Sequence, residues 1–371
     1  MGGSVHDLIE QQASAAPNRP ALLAPGRRAL DYRGLADQIR RIAGMLGSAG
    51  VGRGDIVVVS LPNGPELAVA ILGTASAATA APLNPAATAF EVERLLDEVR
   101  AAAVIVVQGA ALPLRHAAEK RGLPTLELVA GERAGELTIA APVATAAQVT
   151  DGSDVAFLLH TSGTAARPKQ VPLTHRNLVG AATRVVDSLR LGAKDRCLNV
   201  MPLIHAHGLI GGLLPSLRAG GSVVCTTSFD PREALVLAHE HGATWTTAAP
   251  AVYRALLEAE GPLPRFRFMR SASAPMPPEL AAALEDRFDA PLIEVYGMTE
   301  AYQVAANPLP PGDRRPGTVG RATGTELAIV DEEGTFLCAG ESGEIVLRGP
   351  GVFLGYRATE KVNDRAFLRG W

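Results

Sequence analysis

Aromatic residues make up only 4% of this 371-residue chain, although 47% of it is hydrophobic. A core short of Phe, Tyr and Trp must rest on Ala, Val, Leu and Ile, as in layered α/β proteins with buried parallel strands. Cysteine is scarce as well. Cys197, Cys225 and Cys338 are odd in number, far apart and without paired metal spacing. That excludes a disulfide framework and points to reduced, structural thiols. An excess of one charge is also lacking. A net charge of -3 gives no electrostatic basis for binding nucleic acid or an acidic membrane. No uninterrupted apolar run reaches ~18 residues, so no membrane span is expected. The N-terminal stretch MGGSVHDLIEQQ has no basic-then-apolar signal pattern, and the cytoplasm is the expected compartment.

What is present is alternation. A short helix from His6 to Ala13 is followed by a hairpin of Ala21–Leu23 and Ala29–Tyr32 around Pro25-Gly26. Leu35, Ile39, Ile42 and Leu46 fall at helical spacing within Arg33–Ala49, with Gly50 just past the end. Asp55–Leu61 reads as a buried strand, Pro65–Ala80 and Phe90–Val99 as helices, and Val104–Val107 as a strand. Residues 108–150 are the least regular section and read as a strand and loops. Beyond a strand at Val155–Leu159, Thr174 caps a predicted helix to Leu189. The remaining predicted strands are Arg196–Met201, Gly221–Thr226, Thr244–Ala248, Phe268–Ser271 and Leu292–Tyr296. Helices at Gly208–Leu217, Pro231–His241, Pro250–Glu260 and Pro278–Phe288 alternate with them. Such alternation predicts parallel sheets covered on both faces. Residues 315–357 change character: Gly, Pro and Val dominate, with short strands at Glu326–Val330 and Gly343–Arg348, an all-β piece.

Residues 160–170, HTSGTAARPKQ, follow the apolar run at Val155–Leu159. A glycine lets backbone N–H groups approach an anion, Thr161, Ser162 and Thr164 add hydroxyls, and Lys169 adds a compact positive charge. This composition suits a phosphate loop, although it lacks the Walker spacing. Glu294-Val295-Tyr296-Gly297-Met298-Thr299-Glu300 places a tyrosine, a glycine, a hydroxyl and a carboxylate in sequence. The ring suits stacking on a base, the hydroxyl a phosphate, and Glu300 a hard cation. Met201 to Gly208 carries His205 and His207, whose spacing also suits a metal, but no third and fourth ligands accompany them. Arg270, Ser271, Ser273, Ala274 and Pro275 form a polar strand end. The glycines of 343–355, with Glu344 buried or paired and Tyr356, read as structural.

Together these five ordered motifs resemble the adenylate-forming superfamily of AMP-binding enzymes, which includes acyl-CoA synthetases, and the resemblance covers the chain from about His6 to Trp371. Thr161–Lys169 resembles its Thr-Ser-Gly-Thr-x-x-x-Pro-Lys signature, with Ala165, Ala166 and Gln170 as departures. Tyr296–Glu300 resembles its Tyr-Gly-x-Thr-Glu element, and Met201–His205 its Pro-Leu-Phe-His segment, with Ile204 replacing the aromatic. The resemblance implies two doubly wound, mainly parallel sheets packed with helices plus a small distorted β-barrel. It divides the large domain into subdomains near 1–150, 151–296 and 297–371.

It further implies ATP, Mg²⁺ and coenzyme A as reactants or cofactors, a small-molecule carboxylic acid as substrate, and a monomer or homodimer. Thr161, Thr164, Lys169, His205 and Glu300 are the implied catalytic residues, with Glu300 and Thr164 near the metal. Ser162, Gly163, Ser273, Ala274, Pro275 and the run Glu294–Thr299 are implied to hold the nucleotide. His205, His207, Arg270, Ser271, Ser273, Gly297 and Met298 are implied to form the acid pocket. That pocket is polar, and the segment Arg270–Ala274 with Met298–Ala301 and Asn307–Pro310 looks like the oxalate-CoA ligase branch, so a small dicarboxylic or otherwise polar acid is expected. Adenylation for a carrier protein, an amine or another nucleophile stays open, as does a non-catalytic nucleotide-binding module. In the family a Gly-Trp like Gly370-Trp371 leads into a Thr-Gly-Asp segment and a small C-terminal domain carrying a lysine. The expectation is therefore a large N-terminal domain with little activity alone.

Overall fold

The computed structural model describes residues 3–110, 113–139, 150–161, 169–357 and 360–371. Two sheets carry the architecture. The first has seven strands in the order Leu137–Ile139, Thr125–Ala130, Ala103–Val107, Ile56–Ser60, Thr79–Pro82, Val155–His160 and Gln170–Thr174. Its interior pairs are parallel, and only the two outermost pairs are antiparallel. The second has nine strands in the order Arg321–Ala322, Tyr302–Ala306, Leu292–Met298, Phe268–Ser271, Trp245–Ala248, Arg196–Asn199, Ser222–Cys225, Pro20–Leu23 and Leu30–Asp31. Its centre is parallel from Pro20–Leu23 to Leu292–Met298. Both sheets draw strands from either side of residue 150.

The scarcity of aromatics shapes the packing. Every residue of the helix Pro65–Ala75 except Glu66 is buried, and it crosses the helix Tyr32–Ser48 closely because Gly73 has no Cβ to meet the Ile42 side chain. The few large rings are concentrated under the second sheet, where Trp245 and Phe268 lie 5.5 Å apart. Cys197 and Cys225 are buried free thiols, and Cys338 is exposed. Among the described residues no helix is long and apolar enough to cross a membrane.

The sequence expectations fail where burial is uniform. The helix predicted to reach Ala80 stops at Ala75, and Thr79–Pro82 is a fully buried strand. A strand buried on both faces shows no alternation, so TAAP reads as more helix. Residues 113–139 hold a helix, Pro113–Lys120, and two strands rather than one strand and loops. The helix predicted from Gly208 begins as a π-turn, His207–Leu213, and continues as Leu214–Arg218. The β-rich tail splits. Tyr302–Ala306 and Arg321–Ala322 extend the nine-stranded sheet, while Glu326–Val330 pairs with Glu344–Arg348 as a two-stranded ribbon. Strand pairing among the described residues closes no barrel. Glu344 is exposed and forms no ion pair among the described residues, contrary to the expectation of a buried or paired carboxylate.

Candidate active site

Parallel strands deliver their C-terminal ends to one side of a sheet, and the loops there collect polar groups. Here His160-Thr161 closes one strand of the first sheet. Met201, Thr247, Arg270 and Val295–Met298 lie at the ends of four strands of the second. Between them is a cavity of about 480 Å³. Of the residues singled out in the sequence, Thr161, His205, His207, Arg270, Ser273, Val295, Gly297, Met298, Thr299 and Glu300 border it.

The cavity wall is built on a buried cation. Arg270 is 1% exposed. Its guanidinium donates to Thr247 Oγ1 at 2.9 Å, to Tyr302 Oη at 3.3 Å, and to Gln303 Oε1 at 3.2 and 3.4 Å. All these acceptors are neutral, and no carboxylate pairs with Arg270 among the described residues. His207 lies beside it, with Nδ1 2.8 Å from Ser273 Oγ and Nε2 2.7 Å from Thr247 Oγ1. Burial, then the nearby Arg270 charge and His205, push the His207 imidazole down to about 3, so it is neutral. Both its nitrogens are occupied, and no cluster of three metal-ligating side chains exists among the described residues. The metal alternative for His205 and His207 therefore has no support.

Small residues make this arrangement possible. The π-turn opens at His207, and a Cβ on Gly211 would overlap Tyr302 Oη, while one on Gly208 would strike the Met201 and Pro202 carbonyls. Gly297 is as constrained: a bulge falls beside it, and a Cβ there would overlap the Tyr302 carbonyl. Ser273 sits at φ +76°, a conformation that non-glycine residues rarely hold.

Glu300, 6% exposed, borders this cavity and also a second one of about 390 Å³. Its Oε1 accepts a 2.5 Å hydrogen bond from Tyr356 Oη, and its backbone carbonyl accepts from Phe353 N–H. Burial, then the Glu300 carboxylate, raises the Tyr356 phenol above its ordinary range. Lys169 Nζ lies 4.5 Å from the centre of the Tyr356 ring and faces the second cavity, not the first. The base of the phosphate loop is tied across its ends: Thr161 N–H donates to the Lys169 carbonyl, and Lys169 N–H to Thr161 Oγ1. Ser162, Gly163 and Thr164 lie outside the described residues.

Comparison with known proteins agrees with this geometry. The family model for AMP-binding enzymes matches residues 9–357. The chain belongs to the AMP-binding enzyme family. An oxalate–CoA ligase from Arabidopsis thaliana is 36% identical, over 98% of this chain and 74% of that protein. A sulfoacetate–CoA ligase from Cupriavidus necator is 35% identical, over 98% and 73%. Among solved structures, ATP-bound MatB from Rhodopseudomonas palustris superposes with a TM-score of 0.89 at 28% identity, over all of this chain and 74% of that one.

Several residues drawn from the AMP-binding signatures fall elsewhere. Ser271 is buried and does not border the cavity, because neighbours on a strand face opposite ways and Arg270 takes the cavity side; its hydroxyl has no partner among the described residues. The same alternation turns Glu294 and Tyr296 away while Val295 borders the cavity. Glu294 lies instead in a separate cleft beside Arg314, accepting from Gly317 N–H at 3.2 Å. Ala274 and Pro275 are exposed and border none of the cavities described, since the chain swings outward at Ser273. Conversely, sequence reasoning missed Thr247, Tyr302, Gln303 and Tyr356. It also assigned no role to His160, which borders the first cavity and a neighbouring one of about 350 Å³ and whose Nε2 is buried without a partner among the described residues. The one available signal was position: His160 directly precedes the loop signature.

Proposed function

We propose that this AMP-binding enzyme activates a small acid carrying a second anionic group, as an acyl-AMP, and transfers it to coenzyme A. The acid–thiol ligase class rests on the family and on relatives that are CoA ligases. The observation that carries the substrate reading is Arg270, a buried guanidinium at a cavity wall whose partners are all neutral. Burying an unpaired cation is costly, and a ligand carboxylate or sulfonate would remove that cost. Relatives named for oxalate and sulfoacetate are consistent with it.

In the first step a carboxylate oxygen attacks the α-phosphorus of ATP. The bond from that phosphorus to the bridging oxygen breaks, and pyrophosphate leaves. Two anions must approach, so the site has to neutralise charge as it orients them. Arg270 and Ser273 are assigned to the acid, and Thr161, Thr299 and Lys169 to the phosphates. Residues 162–168 are assigned to the phosphates as well, on their sequence alone. Magnesium fits Glu300 in one manner, as a single buried carboxylate with one oxygen held by Tyr356, the remaining ligands being phosphate oxygens and waters. Such an ion would offset the charge of the polyphosphate. In the second step the thiol sulfur attacks the acyl carbon, the bond to AMP breaks, and the thiol proton leaves to solvent or a base.

The test is pyrophosphate release with oxalate, malonate, sulfoacetate, acetate, benzoate and octanoate. Fastest turnover with one of the doubly anionic acids is expected. Fastest turnover with octanoate would sink the proposal.

A further inference from the structure

The polar chain behind the cavity has a direction. A guanidinium only donates, so the 2.9 Å contact makes Thr247 Oγ1 the acceptor from Arg270. Thr247 is fully buried, and among the described residues the other group its hydroxyl reaches is His207 Nε2, at 2.7 Å. Its single proton goes there, since a proton on Nε2 would leave the Thr247 hydroxyl hydrogen buried without an acceptor. Neutral His207 then carries its hydrogen on Nδ1 and donates it to Ser273 Oγ at 2.8 Å. With that lone pair filled, the Ser273 hydroxyl hydrogen is left for whatever occupies the cavity. Thr247 and Arg270 are register partners on adjacent parallel strands, so the sheet itself sets the first link.

We propose that Thr247 is a positioning residue: by fixing the His207 tautomer it makes Ser273 a hydrogen-bond donor to an anionic oxygen of the bound acid. The chain thereby selects ligands whose oxygens only accept. A carboxylate or sulfonate fits, whereas an ammonium group in the same place presents hydrogens to a hydrogen. This assignment rests on the reading of the acid as doubly anionic, but the tautomer it requires exists without any ligand.

The experiment therefore has two arms. In the ligand-free protein, long-range ¹⁵N–¹H spectra should show His207 protonated on Nδ1 in the parent and in Thr247→Ser, and on Nε2 or mixed in Thr247→Val. In turnover, Thr247→Val should raise KM for the preferred dicarboxylate about tenfold or more, the scale of one hydrogen bond to a charged group, with kcat little changed. Thr247→Ser should restore it. Ser273→Gly, which suits the left-handed backbone, serves where the valine variant fails to fold, and should raise the same KM by a similar factor. An unchanged tautomer in Thr247→Val, or an unchanged dicarboxylate KM in Ser273→Gly, would overturn the assignment. A tautomer that shifts as expected in a parent enzyme that prefers monocarboxylates would instead leave the relay standing and remove the dicarboxylate reading.

Discussion

The two cavities that meet at Glu300 hold their charges in opposite ways. On the side proposed for the acid the cation is Arg270, sealed from solvent and pinned by four hydrogen bonds to three neutral side chains. On the side proposed for the phosphates the cation is Lys169, an exposed residue whose ammonium rests on the face of the Tyr356 ring. A sealed, pre-oriented charge cannot follow a ligand, so it selects among ligands by fit. An exposed charge on a flexible stem adapts to a phosphate chain and contributes less on its own. One side is built to discriminate, the other to accommodate.

The comparison breaks most visibly at Arg270. Arg270→Met should lower kcat/KM for the preferred doubly anionic acid roughly 10³-fold, the scale of losing one partner of a buried charge pair, and should leave acetate turnover nearly unchanged. Equal losses for both acids, measured by pyrophosphate release, would erase the distinction between the two sides.

The sealed side also carries a penalty that pH reveals. Burial puts the folded His207 value at about 3, below the ordinary 6.5, so the unfolded chain binds the proton more readily. Its contribution to stability is complete above about pH 6.5 and is lost as pH falls toward 3, about 3 kcal/mol of it between pH 6.5 and 4. His175, buried beside the N-terminal helix and pushed down to about 4, declines over the same window. Urea unfolding from pH 7 to 4 should show this fall, and His207→Gln should make it shallower.

Next in size is Glu300→Gln. Magnesium-dependent ATP binding, followed by calorimetry, should weaken about 100-fold, because the buried carboxylate is the proposed anchor for the ion. Smallest is Tyr356→Phe, which keeps the ring under Lys169 but frees Glu300 Oε1. About a tenfold loss of apparent magnesium affinity is expected, typical of removing an outer partner of a metal ligand. If Tyr356→Phe matched Glu300→Gln, the phosphate side would be as rigid as the acid side.

The linear order of motifs carried much of this site. Helix caps, glycine positions and strand ends are local events, so Thr174, Gly297 and the base of the 160–170 loop were legible. Which face a residue takes was not. Ser271, Glu294 and Tyr296 stand next to cavity-lining residues in sequence and point elsewhere, because one step along a strand reverses direction. Thr247 was invisible for another reason: its meaning comes from Arg270 across a parallel pair, and the stretch TTAA that holds it has no signature. Tyr356 read as a turn element because its partner, Glu300, is 56 positions away.

The π-turn at His207–Leu213 has a consequence for how this cavity changes over generations. A π-turn holds one residue more than the α-helical turn it replaces. Removing a single codon at Gly211 or Gly212 would let the segment wind as an ordinary helix. Because the extra residue is taken up within one turn, the phase between His207 and the helix Leu214–Arg218 would change by only some tens of degrees, roughly. The effect would fall on packing instead, since Gly211 and Gly212 are the places where the backbone passes too close to Tyr302 and Asn199 for any Cβ. A one-residue change of length there is thus one the helix can absorb without turning His207 away.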